Sequence, residues 1–399
     1  MTYSSPASSS PTFSRRLRAG FLALGALAAM GQAQARTPAP AQKETGKTAP
    51  AKAEQANARQ MVIIDDEGTS LMHIALLASP KIDVVGVTSV SGNIWATRGA
   101  AMQLRMLELM GKDKVPVAQG ALYPLLNTEE KTRRWEALYG KLTWKGVWMK
   151  EWVEPTQQST PPYRTPQDVS DIPGGAPKGH VLAEAAANFM IRMVHKYPGQ
   201  ITIVEGGPMT NLALAQRLDP EFASLAKGLI YMGGSFNPRQ VLDNRSAADF
   251  AREFANSPRR EFNIRFDPES ASITSHAPWK SITVVPVDPS TATQLTPDLL
   301  ARVAKVAPAG IRQVVSGFEP GFPLWDEIVA AVLIDPSVVT RSEQLYVDYD
   351  SQFGATYGDT LSWREHYQPG LGEQKATVIL SVDPGKVDDT LVDAVSRAR

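Results

Sequence analysis

Short runs of β-branched and aliphatic residues alternate with stretches of helical period along most of the chain. MVIID precedes LMHIALLA, DVVGVTSV precedes TRGAAMQLRMLELM, and VPVA, ITIVE, GLIYM and SITVV follow with further helical segments between them. Apolar runs without polar alternation mark strands covered on both faces, the pattern of a parallel sheet built from βαβ units. The predicted fold class is therefore α/β: a doubly wound, mostly parallel sheet with helices on both faces, in a single domain over residues 60–399. Between Leu122 and Lys178 this rhythm is broken by Pro, Gly and four tryptophans, and the segment reads as an insertion over the sheet. Trp144, Trp148 and Trp152 recur every fourth residue, so a helix would set them on one face. They would either pack the insertion onto the core or form a lid or an oligomer contact.

Ahead of the domain, Arg15, Arg16 and Arg18 precede the apolar run AGFLALGALAAM and the small-residue pattern Ala33-Gln34-Ala35. This is the pattern of a signal peptide over residues 1–35, and the run falls short of the ~20 apolar residues of a spanning helix. Residues 36–59 are Pro, Ala, Lys, Glu and Gln with hardly a large apolar side chain, which predicts a disordered linker. The expected location is periplasmic or secreted. Lys and Arg (41) balance Asp and Glu (41), so no global field draws in nucleic acid or an anionic membrane, and a small neutral ligand suits the chain better. Cysteine is absent, which excludes disulfides, thiolate metal sites and a Cys nucleophile. Homo-oligomer formation is left open.

In open α/β sheets ligands sit beyond the C-terminal ends of the strands. The polar residues there are Asp65-Asp66-Glu67-Gly68, Ser91-Gly92-Asn93, Gly206 to Asn211, and Gly233-Gly234-Ser235, with Glu261-Phe262-Asn263 and Trp325-Asp326-Glu327 further on. Hard cations take carboxylate and carbonyl oxygens, which the acids at 65–67 and a distant Asp326 could supply. The same acids also suit a solvated turn and a helix cap, and Asn93 after Gly92 and Asn211 in the segment that begins at Gly206 suit turns or caps. His73, His180, His195, His276 and His366 lie in no motif.

The segments GVTSVSGN, VPVAQGALYPL, GGPMTNLALAQRLDP, YMGGSFN, EFNIRFDPESA and LWDEIVAAVLIDPSVV occur in an order that resembles the inosine-uridine preferring nucleoside hydrolases over nearly the whole domain. The resemblance implies the nucleoside hydrolase fold and a Ca²⁺-dependent cleavage of the N-glycosidic bond of a nucleoside to ribose and free base. It implies Asp66 as general base, and Asp65, Asp66, Glu67, Asp326 and the Gly206 carbonyl as metal ligands. Asn93, Asn256, Glu261 and Asn263 would hold the sugar, and Trp325 would face the base where many members carry a His and others stack an aromatic ring. The family's first loop reads Asp-x-Asp-Pro-Gly-x-Asp-Asp, whereas this chain has IDDEGTSLMHIALLASP, with Gly68 and Thr69 in the place of the later Asp pair. The alternative expectation is accordingly a ribose- or nucleoside-binding protein on the same fold without turnover.

Overall fold

A continuous sheet of nine strands carries the molecule, described in a computed structural model over residues 59–156 and 158–398. The predicted signal peptide and nearly all of the predicted linker lie outside the described residues. The strands are β1 (Gln60–Asp66), β2 (Ile82–Ser89), β3 (Val117–Gln119), β4 (Ile201–Glu205), β5 (Gly228–Met232), β6 (Ile282–Val285), β7 (Val339–Tyr349), β8 (Thr360–Trp363) and β9 (Gln374–Val382). Their order is β3-β2-β1-β4-β5-β6-β9-β7-β8. Every pair from β3 to β9 is parallel, and β7 runs antiparallel to both of its neighbours. The sheet is thus mostly parallel and doubly wound, as the continuous apolar runs predict.

Successive strand residues point to opposite faces, and the two cores show it. Val62 and Ile64 of β1, Val204 of β4 and Ile230 and Met232 of β5 join the core that also takes in the helices Leu71–Ala78, Asp326–Ile334 and Pro384–Ser396. Ile63, Ile203, Leu229 and Tyr231 face the other core, under the helices Ala186–Lys196 and Thr210–Leu218. Continuing the alternation, Asp66 follows Ile64 toward the first core and Asp65 follows Ile63 toward the second. Consecutive acids therefore enter different surroundings. All described residues fall in one unit, and among them no helix is long and apolar enough to cross a membrane.

The insertion does not fold as the tryptophan spacing predicts. Its helix is Glu129–Tyr139, and Trp144, Trp148 and Trp152 lie on a path whose regular element is a 3₁₀ turn at Gly146–Trp148. Gly146 explains the difference: it sits at φ 56°, and a Cβ there would stand 2.2 Å from the Gly92 carbonyl oxygen. A side chain would have no room, and a right-handed helix cannot pass through that backbone conformation. Trp148 stacks on Phe266 with ring centroids 4.6 Å apart, whereas Trp144 and Trp152 pack against each other at 5.3 Å on the wall of a cavity.

Candidate active site

The strand order reverses direction between β1 and β4, the topological switch point at which doubly wound sheets bind ligands. Asp65, the next-to-last residue of β1, lies opposite Glu205 at the end of β4, so two acids meet at the switch point. Asp65 is fully buried. Its Oδ1 accepts from the Thr88 hydroxyl at 2.6 Å and from Asn211 Nδ2 at 2.9 Å, and its Oδ2 also accepts from Asn211 at 3.2 Å. Burial still raises its carboxyl above the ordinary range. Glu205 is pushed well above it, first by burial and then by the charge of Asp65 beside it. Asn211, expected in a turn or cap, is instead a buried hub: it also donates to the Ser89 carbonyl and accepts from the Ala121 N–H.

Asp66 points to the other face. Its Oδ1 accepts from the Glu67 N–H at 2.6 Å and its Oδ2 lies 3.5 Å from His73 Nδ1. Burial drives the Asp66 carboxyl up to about 7, with the charges of Asp65 and Glu327 adding to the effect of burial. His73 is fully buried and lowered to about 3, so it is neutral and balances none of this charge. Glu67 Oε2 accepts from Asn93 Nδ2 at 2.5 Å, while Oε1 is buried with no partner among the described residues. Gly92 makes that position accessible, since a Cβ on it would stand 1.7 Å from Glu67 Oε1. Burial, then the charge of Asp66, raise Glu67 well above its usual range. Asp326 opens the helix Asp326–Ile334 and is raised likewise, by burial and then by Asp66, Glu327 and Glu67.

These acids form a nest. Among the described residues no Lys or Arg forms an ion pair with Asp65, Asp66, Glu67, Glu205, Asp326 or Glu327. Buried carboxylates in such number stay ionised only beside a cation, and otherwise take up protons. The donors are all oxygen, two of them, Glu67 Oε1 and Glu205 Oε2, buried with no partner among the described residues, which suits a hard divalent ion in kind. No three acidic or imidazole side chains among the described residues are already gathered about one point.

Beside the nest opens a cavity of about 1010 Å³. Six of the predicted site residues line it: Asn93, Gly206, Glu261, Asn263, Trp325 and Asp326. Thr69 and Ser70 line it too, at the start of the helix Leu71–Ala78. Asn263 Nδ2 donates to the Gly206 carbonyl at 2.9 Å and to the Met232 carbonyl at 3.2 Å. Glu261 caps the helix Phe262–Phe266, accepting from the N–H groups of Asn263, Ile264 and Gly234, and burial outweighs these donors to bring it up to about 7. Asn93 bridges Glu67 and the insertion, since its Oδ1 accepts from Trp144 Nε1 at 2.6 Å. Trp325 is half-buried and meets Phe250 edge-on at 5.1 Å and Phe322 at 6.3 Å. Asp65, Asp66 and Glu67 lie behind this lining, with Asp65 the most fully engaged. Asn256 ends the helix Arg245–Asn256, and its side chain is outside the described residues.

Sequence reasoning left Glu205, Thr88 and Glu327 without a role, although Glu205 closes the run ITIVE and its strand-end position was a usable signal. Of the roles the tryptophan spacing suggested, packing on the core fits Trp148 against Phe266, whereas Trp144 and Trp152 line the cavity.

The model of the family described as inosine-uridine preferring nucleoside hydrolase matches residues 62–389. Uncharacterized protein C800.11 of Schizosaccharomyces pombe is 29% identical over 360 residues, covering 86% of each chain. The inosine-uridine preferring nucleoside hydrolase of Leishmania major is 25% identical over 354 residues, covering 85% of this chain and 98% of that one. Among solved structures, a plant nucleoside hydrolase superposes with a TM-score of 0.63 at 21% identity over 85% of this chain and 99% of its own, a likeness of fold. With the family model matched across nearly all of the described sheet, the chain belongs to the inosine-uridine preferring nucleoside hydrolase family.

Proposed function

We propose that the protein hydrolyses the N-glycosidic bond of ribonucleosides to ribose and free base with Ca²⁺ held by Asp66, Glu67, Asp326 and the Gly206 carbonyl. The observation that carries the metal is the uncompensated acid nest beside an amide-lined cavity. Bound there, Ca²⁺ would orient the ribose diol and make the attacking water more acidic.

The remaining work falls to the chain's own side chains. Glycosidic cleavage passes through a cationic, oxocarbenium-like sugar, which the negative nest favours. Asp66, ionised above about pH 7, is the general base that takes the proton from water. Asp65, held by Thr88 and Asn211, adds its charge to those that raise Asp66. Asn93, Glu261, Asn263 and Asn256 recognise the sugar hydroxyls. Trp325 offers a ring face to the base; its indole N–H is too weak an acid to protonate a leaving group near neutrality, so its help is stacking. The N-terminal pattern supports export to the periplasm or beyond, with a mature chain starting at Arg36 as the mass-spectrometric test.

Release of reducing sugar from a panel of purine and pyrimidine nucleosides, with Ca²⁺ and with chelator, tests the reading. A second reading, binding without turnover, is favoured by the engagement of Asp66 Oδ1 and of both polar atoms of Asn93 within the protein. Saturable nucleoside binding with no sugar released would establish it.

A further inference from the structure

The cavity is larger than a nucleoside needs. Pockets that enclose whole drug-sized ligands span roughly 300–1,000 Å³, and this one holds about 1010 Å³. Protein interiors are otherwise close-packed, so so much unfilled space with apolar walls calls for a ligand.

One of its walls is the helix Ala96–Leu109. Near its start Gly99 lies against the acid loop, where a Cβ would stand 1.8 Å from the Glu67 carbonyl oxygen. One turn on, Met102 Cε comes within 3.8 Å of the position a Cβ on Gly68 would take. Met102, Met106 and Leu109 then line the cavity on successive turns of one face. At ~1.5 Å per residue, the cavity follows this helix for about 10 Å beyond the acid loop. At the far end the helix meets the insertion, where Pro173 and Gly174 line the cavity and Leu109 Cδ1 lies 2.9 Å from a Cβ placed on Gly174. Val314 forms part of the lining as well. The arm is thus aliphatic and thioether in character, and two of its walls are methionines, whose unbranched side chains adapt to varied shapes.

We infer that this arm accepts a long apolar substituent on the base, so that the preferred ligands are N-ribosides with an extended aliphatic or aromatic group on the leaving group. The inference rests on the nucleoside reading proposed above. The sugar is held at the end lined by Asn93, Asn263 and Asp326, and the substituent runs along Met102, Met106 and Leu109.

Equilibrium binding of adenosine and its N6-butyl, N6-hexyl and N6-benzyl derivatives, and of uridine with matched C5 substituents, tests it on the full chain with Ca²⁺ present. Burying a methylene yields up to about fourfold in affinity, and a gain of at least about thirtyfold from the parent nucleoside to the hexyl derivative is expected in one of the two series. Leu109→Trp and Val314→Trp, two separate variants that narrow the arm, should erase that gain while leaving parent-nucleoside affinity within about twofold. Parent nucleosides that bind with no gain in either series overturn the inference and leave the nucleoside reading standing. A gain that survives in every variant that folds overturns the assignment to this arm. Failure of every riboside to bind overturns both.

Discussion

Calcium should stabilise the fold through Asp326, by an amount that can be set in advance. A ligand present at 100 times its dissociation constant adds about 2.7 kcal/mol to the unfolding free energy. At ~2.1 cal/mol/K per residue, the roughly 340 described residues give an unfolding entropy of about 0.7 kcal/mol/K, so the midpoint should rise by about 4 °C. Asp66, held up to about 7 by burial, must lose its proton to bind metal. Affinity therefore falls as pH drops below 7, by about tenfold per unit for one displaced proton, and at pH 6 the same calcium concentration should add only about 1.4 kcal/mol, or about 2 °C. Asp326→Asn removes one ligand charge and relieves repulsion on Asp66 and Glu67. That variant should be at least as stable as the parent in chelator and should gain nothing from calcium. Thermal unfolding followed by circular dichroism, with calorimetric titration for the dissociation constant, supplies the numbers. An undiminished calcium shift in Asp326→Asn, or no shift in the parent at pH 8 and millimolar calcium, refutes the reasoning.

Trp325→Ala should weaken purine-nucleoside binding by about 1–3 kcal/mol and pyrimidine binding by less, with Trp325→Phe recovering part of it, as read from quenching titrations; unchanged affinities would assign the ring to packing with Phe250 and Phe322. Asn211→Leu strips Asp65 of two hydrogen-bond contacts and should lower the unfolding midpoint in chelator by about 3–6 °C, for a loss of about 2–4 kcal/mol. Asp267 is raised to about 6 by burial, against donors that include the Thr210 hydroxyl at 2.6 Å. A carboxyl raised on folding contributes stability in full below about pH 4, and that contribution is lost as pH rises through about 6, so Asp267→Asn should flatten the denaturant-measured stability profile between these values by up to about 3 kcal/mol. An unaltered slope in that variant would show that Asp267 titrates normally.

The sheet and the position of its switch point were legible because continuous apolar runs state both strand position and double-sided burial. The polar residues after those runs were therefore the right ones to inspect, and six of the predicted ones line the cavity. The division of labour within Asp65-Asp66-Glu67 was not legible as three neighbouring letters. It depends on which face of β1 each side chain meets, and on Thr88, Asn211 and Glu205 from other segments. The tryptophan spacing misled for a local reason: a repeat of four signals a helix face only if the backbone between stays right-handed, and Gly146 does not. Glu261 illustrates a third limit, since its role as a helix cap and its place on the cavity wall use the same carboxylate.

The way Asp65 is held bears on when the site comes into being during folding. Its partners lie 23 residues away in β2 and 146 residues away in the helix that follows β4, and neither contact exists until those segments have docked. Such long-range closures form late, after the loop entropy between them has been lost. A cation or nucleoside that recognises only the completed arrangement therefore has little to grip in the transition state. Its stabilisation should appear as slower unfolding, with the refolding rate nearly unchanged. Bound ligand would then lengthen the lifetime of the native protein without hastening its first arrival.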